Sequence, residues 1–210
     1  MSRTSSSTEK PGNPREKYNS AILDVFLETA RKNLSRDGSL PASVLLLKDG
    51  DVVEALTGFG LSGTIAKATA VDFQTGKRGV ITKEALRPGG ALEAMKALAH
   101  FRAEARQAEM AVFVAESWLL KRYLAPGENI PRAMEKLGKE LDPNGSLEGH
   151  PEQGEAIFIV AFFKGNPFEA RICRFVRQDG MIRFQEPQKV SAVEISNGTP
   201  VPDLANFTWH

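Results

Sequence analysis

The chain has 210 residues, of which 41% are hydrophobic and 25% charged, as in ordinary globular proteins. Its 27 basic and 26 acidic residues give a net charge of +1, which argues against a protein that binds polyanions through bulk electrostatics. No apolar run is long enough to cross a bilayer, residues 1–7 lack the apolar core of a secretory signal, and a single cysteine, Cys173, cannot form an internal disulfide. We therefore expect a cytoplasmic protein with no membrane, metal or cofactor requirement.

The first 36 residues predict a flexible tail followed by a helix. Residues 1–14 are rich in Ser, Thr, Pro, Gly and charge, a composition that cannot offset the entropy of ordering. Residues 15–36 carry apolar side chains over about 200° of a helical circumference, which indicates a helix packed on other elements. Gly38 is a natural C-cap for this helix, and Pro41 prevents its continuation.

A hairpin is predicted next. Two apolar runs, residues 44–47 and 52–56, flank Asp49-Gly50, and such a dipeptide suits the positive φ angles of a primed turn. The unbroken Val-Leu-Leu-Leu run favours a strand that is buried on both faces. Residues 57–80 are rich in Gly, Ala and Thr without a clear period, so we expect an irregular or partly helical crossover there.

The middle of the chain predicts a second helix, a strand and a long loop. Residues 90–109 have a buried stripe at helical spacing, and residues 111–120 follow as a strand. Frequent Pro and Gly in residues 125–154 indicate a surface loop, with a short helix after Pro131.

The last third predicts a β-meander. Strands are expected at residues 156–163, 168–177, 181–185 and 190–195, with a turn at Gln178-Asp179-Gly180. The order of elements indicates an α+β fold in which two long helices pack on a mainly antiparallel sheet. We expect one domain over residues 15–199 and a C-terminal tail over residues 200–210.

Two short motifs resemble known binding motifs, but their surroundings do not support the corresponding functions. Residues 58–63 match G-x-G-x-x-G, but the preceding strand belongs to a hairpin, so a glycine-rich connection is favoured over dinucleotide binding. His100 and Glu104 are spaced i,i+4 and could ligate a metal, but they lie on the polar side of their helix. A water-facing pair is the favoured interpretation.

Basic residues in the meander raise the possibility of nucleic-acid binding. Arg171, Arg177 and Arg183 are interleaved with phenylalanines, and such a surface can stack bases and hold phosphates. Strand alternation places Arg171 and Arg177 on one face and Arg174 on the other. A solvated outer face explains the pattern more simply, so nucleic acid is not the favoured partner.

Glu116 and Glu155 are the candidate catalytic residues. Glu116 ends an apolar strand two residues before Trp118, and Glu155 enters a later strand. If the two strands are neighbours, the carboxylates form a pair of the kind that hydrolases use. The alternative is structural: Glu116 binds backbone N–H groups of the 125–131 turn, and Trp118 caps the core. We favour the structural interpretation.

The E-x-W strand end and the P-x-x-x-E-A strand start at residues 151–156 resemble a set of uncharacterised microbial and phage-type proteins. The resemblance covers residues 90–186 at most and implies an α+β fold, with no activity attached.

Three functions are therefore compared. The sequence favours a non-catalytic accessory or assembly protein, with a protein partner or a homo-oligomer. A small hydrolase-like enzyme using Glu116 and Glu155 is the first alternative, and a nucleic-acid-binding protein is the second.

Overall fold

In the computed structural model, the described residues are 21–62, 65–84, 91–120, 153–163 and 166–191. This part of the chain forms two helices, α1 (Ala21–Asp37) and α2 (Ala91–Arg106), and nine strands. The strands are β1 (Ser43–Lys48), β2 (Asp51–Ser62), β3 (Ile65–Asp72), β4 (Arg78–Glu84), β5 (Met110–Leu120), β6 (Gln153–Phe163), β7 (Asn166–Gln178), β8 (Met181–Phe184) and β9 (Gln188–Ser191). The predicted α+β class is confirmed. Both predicted tails, and the loop predicted at residues 125–154 except its last two residues, lie outside the described residues.

The nine strands belong to one antiparallel sheet. Its order is β4-β3-β2-β1-β5-β6-β7-β8, and β9 also pairs with β7. β1 joins the two halves of the sheet, because it pairs with β2 on one side and with β5 on the other. Three residues of its predicted buried run, Val44, Leu46 and Leu47, have no exposure.

The two helices cover opposite faces of the sheet over different halves. α1 packs its Leu23, Leu27, Ala30 and Leu34 stripe on β5, β6 and β7. α2 packs Met95, Leu98, Ala99 and Ala103 on the β1–β4 half. Strand β5 shows that the faces differ, because Ala111 and Phe113 belong to the α2 core and the alternate residues Val112 and Val114 to the α1 core.

Two predicted hairpin turns and the predicted C-cap of the first helix are confirmed. The β1–β2 hairpin turns at Asp49 and Gly50, with φ angles of 54° and 93°. The β7–β8 hairpin turns at Asp179 and Gly180, with φ angles of 52° and 72°. Gly38 adopts a φ of 73° and donates its N–H to the carbonyl of Leu34 at 2.9 Å, which caps α1.

The irregular crossover predicted for residues 57–80 is wrong. β2 continues to Ser62, and β3 and β4 complete a meander on this side of the sheet. Ala68 and Ala70 are buried in the α2 core, so the strand uses small residues where the helix approaches. Gly58, with a φ of 63°, lies at the register shift between Thr57 and Gly60, so the glycine motif begins at a β-bulge inside a strand.

The end of α2 and the pairing of β9 also differ from the prediction. α2 ends at Arg106, three residues before the predicted end, because Gln107 adopts a φ of 52°. Ala108 then donates to the carbonyl of Ala103 at 2.8 Å and Gln107 to that of Glu104 at 3.0 Å, the pattern of a Schellman cap. In addition, β9 returns to β7 instead of extending the meander, because the four-residue β8 covers only one end of that long strand.

Candidate functional site

Two of the residues predicted as functional, Arg171 and Arg177, lie where β7 runs beneath α1. Arg171, Cys173, Phe175 and Arg177 alternate along β7, and this β7 row faces α1, since Cys173 and Phe175 belong to the α1 core. The six residue steps from Arg171 to Arg177 span about 20 Å of strand. The 14 steps from Asp24 to Gly38 span about 21 Å of helix. Each arginine therefore meets one end of the helix.

At the C-terminal end of α1, Arg177 joins the two candidate carboxylates. Its Nη2 donates to Glu116 Oε1, and its Nε donates to both oxygens of Glu155 at 3.0 and 3.2 Å. Its Nη1 donates to the Gly38 carbonyl at 2.7 Å, where the helix leaves partial negative charge. Glu116 Oε2 accepts the Leu40 N–H at 3.0 Å. We call Glu116, Glu155 and Arg177 the clamp.

Sheet register explains why the clamp residues meet. Glu155 lies opposite Trp118 on β5 and opposite Phe175 on β7. Glu116 lies two residues before Trp118 and Arg177 two residues after Phe175, so they occupy diagonal positions on either side of Glu155 on the same face. The structure thus places Glu116 and Glu155 on adjacent strands, as the enzyme interpretation required. The 125–131 turn expected to bind Glu116, and the Trp118 side chain, lie outside what the structure describes.

The clamp is partly shielded and its polar atoms are occupied. The side chains of Glu116, Glu155 and Arg177 are 18%, 26% and 36% exposed. Hydrogen bonding to Glu155 raises the pKa of Arg177, burial opposes this, and hydrogen bonding to Glu116 adds to it. The guanidinium carbon also lies 5.2 Å from the centroid of the Phe175 ring. With both Glu116 oxygens bound, the cluster has the contacts of a structural cap.

At the N-terminal end of α1, Arg171 is completely buried. Its Nε donates to Asp24 Oδ1 at 2.7 Å, and its Nη1 donates to Glu169 Oε1 at 2.6 Å and to the Ala170 carbonyl at 3.2 Å. Burial lowers the pKa of Arg171, but the hydrogen bonds to Asp24 and Glu169 outweigh it and raise the pKa overall. The hydrogen bond from Arg171 in turn lowers the pKa of Asp24.

The solvated face expected for the meander arginines is therefore wrong for Arg171. Helix α1 covers that side of β7 and supplies Asp24 as a partner. Arg183 is exposed on β8, opposite Val176, whereas Arg171 and Arg177 lie on the helix-covered face at opposite ends of α1. The structure does not bring the three arginines together into one exposed surface.

Between the two ends of α1, the guanidinium of Arg31 covers the thiol of Cys173. Its Nη2 and Nε donate to Sγ at 3.1 and 3.3 Å, and Nη2 also reaches the Gln185 carbonyl at 3.0 Å. The guanidinium lies 5.3 Å from the Phe184 ring centroid, and Cys173 has no exposure. Every residue of the β7 row that carries a polar atom thus interacts with α1 or with the chain that follows it.

A second ion network lies under α2, and the sequence analysis missed it. Glu54, 1% exposed, accepts from Arg102 and Arg106, and Arg106 also reaches Asp72 at 2.7 Å. The Thr75 N–H lowers the pKa of Asp72, burial opposes this, and Arg106 lowers it further. A lone glutamate inside the apolar run Val52–Leu56, with arginines spaced i,i+4 on a helix, is the signal that could have revealed it.

The predicted pair of His100 and Glu104 is confirmed as a surface contact. The two side chains lie 3.0 Å apart and are 37% and 51% exposed. Across the described ranges, no three His, Cys, Asp or Glu residues are grouped so as to hold a metal ion. Neither α1 nor α2 is long and apolar enough to span a membrane.

Comparisons with protein-family models, with curated proteins and with solved structures found no significant match to the chain.

Proposed function

We propose that the protein is a non-catalytic, cytoplasmic accessory or assembly protein. The observation that carries the proposal is the clamp, in which the residues that most resembled an active site hold the end of α1 on the sheet. Acid–base catalysis requires a carboxylate oxygen that can reach a substrate. Glu116 instead uses one oxygen for Arg177 and the other for Leu40. The free thiol of Cys173 is compatible with a reducing compartment such as the cytoplasm.

Replacement of Glu116 by Gln tests this proposal. The amide cannot form the charge-assisted bond to Arg177, and it retains only one oxygen for two donors. We expect the free energy of unfolding at pH 7 to fall by about 1–2 kcal/mol, measured by urea denaturation. Glu186→Gln is the matched control, because Glu186 is exposed, and it should change stability by less than about 0.5 kcal/mol.

A hydrolase-like enzyme is the second candidate, because Glu116 and Glu155 do lie on adjacent strands and share one face. Active-site carboxylates are often held at a cost to stability, so the enzyme interpretation expects Glu116→Gln to be at least as stable as the wild type. That result would overturn the accessory role and make Glu116 the residue to pursue.

Nucleic-acid binding is less well supported than the accessory role or the hydrolase-like activity. Arg171 has no exposed side-chain surface and binds two carboxylates, so it has no free donor surface for a phosphate. Arg177 is similarly engaged in the clamp. Salt-dependent retention of the wild type on immobilised DNA, lost in Arg177→Gln and Arg183→Gln, would reverse this ranking.

A further inference from the structure

Strand β4 forms one edge of the sheet. It pairs with β3 on one side, and no other described strand pairs with it. Residues 78–80 and 82 are exposed, and Val80 keeps 60% of its surface accessible. An edge strand presents a row of backbone N–H and C=O groups that can pair with another chain.

The sequence of β4 is complementary to itself when it is read in the opposite direction. In an antiparallel pair of two copies centred on Ile81, Arg78 of one copy lies opposite Glu84 of the other. Val80 then lies opposite Thr82, and the two Ile81 residues lie opposite each other. Opposite charges across a strand pair stabilise it, and a pair of β-branched residues suits its centre.

Neighbouring registers lack this complementarity. A shift centred on Val80 places Lys77 opposite Lys83. A shift centred on Thr82 places Glu84 opposite Val80, where it has no basic partner. Like charges directly opposite each other are destabilising. The charges at the two ends of β4 therefore favour a single register, in which all seven strand residues are paired.

We propose that two copies of this chain associate through β4, forming a two-fold dimer with a continuous sheet. The inference rests on the proposed assembly role and names the partner as a second copy. Ile81 packs against the α2 core, so its pairing across the axis joins the cores of the two copies. About six to eight backbone hydrogen bonds form in this register. The interface is small, so we expect a weak association in the micromolar range.

Sedimentation velocity of the full chain from about 1 to 200 µM measures the association. The wild type should change from monomer to dimer across this range, and a monomer at all concentrations would overturn the proposal. Arg78→Glu places a glutamate opposite Glu84, and Glu84→Arg places an arginine opposite Arg78. Each variant alone should associate at least tenfold more weakly.

Mixing the two variants tests the register directly. The Arg78→Glu chain has two acidic ends and the Glu84→Arg chain two basic ends, so the mixture should form a heterodimer at wild-type affinity or tighter. Lys67→Glu, the same kind of charge change on the neighbouring strand, should change the dissociation constant by less than about threefold. Failure of the mixture to associate, with both variants folded by circular dichroism, would refute the register. A monomeric wild type leaves the Glu116 experiment unaffected, so the two proposals fail separately.

Discussion

Replacing Arg171 by methionine removes a fully buried guanidinium while filling a similar volume. Glu169, only 19% exposed, then loses its charged partner, and a hydrogen bond to a charged group contributes about 1.5–3 kcal/mol. Asp24 is 46% exposed and can return to water, so its bond adds at most about 1 kcal/mol. We expect Arg171→Met to lower the free energy of unfolding by about 2–4 kcal/mol, because it leaves a shielded carboxylate unpaired.

Urea unfolding at pH 7 measures the effect, with Arg183→Met as the exposed control. The control should stay within about 0.5 kcal/mol of the wild type. The triple variant Arg171→Met, Asp24→Asn, Glu169→Gln should recover at least half of the loss, because it no longer contains an unpaired charge. A loss of less than about 1 kcal/mol in Arg171→Met, with an unchanged m-value, would refute the argument that Arg171 holds the first turn of α1.

Gln107→Gly should stabilise the chain by about 0.5–1 kcal/mol, because Gln107 adopts a φ of 52°; an unchanged melting temperature would contradict this. Gly38→Ala should cost about 1 kcal/mol in urea unfolding from the backbone alone, since an added Cβ meets no atom within 4 Å. The lowered pKa of Asp72 means that its stabilising contribution is complete above its unfolded pKa near 4 and is lost as pH falls through the lower folded pKa. Asp72→Asn should therefore flatten the decline of the urea midpoint below pH 4, and a wild-type slope would exclude Asp72 as a cause. Ala68→Leu should lower the free energy of unfolding by about 1–3 kcal/mol, because α2 packs on β3 at this residue. An unchanged stability would show that the α2–β3 contact has room for the larger side chain.

Local chemistry made the turns and helices predictable. The turns at Asp49-Gly50 and Asp179-Gly180 require positive φ angles, which Asp and Gly tolerate better than most residues, so sequence alone locates both hairpins. The leucine stripe of α1 repeats at the helical period and identifies its buried side. In residues 57–80, by contrast, alanine and threonine carry little hydrophobic contrast, and the small residues reflect the approach of a helix that lies later in the chain.

The candidate site could be predicted only in part. Alternation placed Arg171 and Arg177 on one face, but it cannot say which face a distant helix covers, so the burial of Arg171 was missed. The sequence offered Glu116 and Glu155 as a pair only if their strands were neighbours, and the pairing of β5 with β6 meets that condition. Arg177 joins them only through the β6–β7 register, which depends on the exact alignment of strands and not on residue type.

Because Cys173 is buried beneath α1, the rate at which its thiol is labelled can report local opening of the structure. Arg31, the sheet and the Gln185 carbonyl cover the sulfur, so a thiol reagent can reach it only when this covering opens, as when α1 lifts away from β7. When reclosing is faster than the chemical reaction, the labelling rate is proportional to the population of the opened state. Arg171 and Arg177 bind the two ends of the same helix through Asp24 and the Gly38 carbonyl. Weakening either of these contacts should accelerate labelling of the Cys173 sulfur, although neither arginine contacts it.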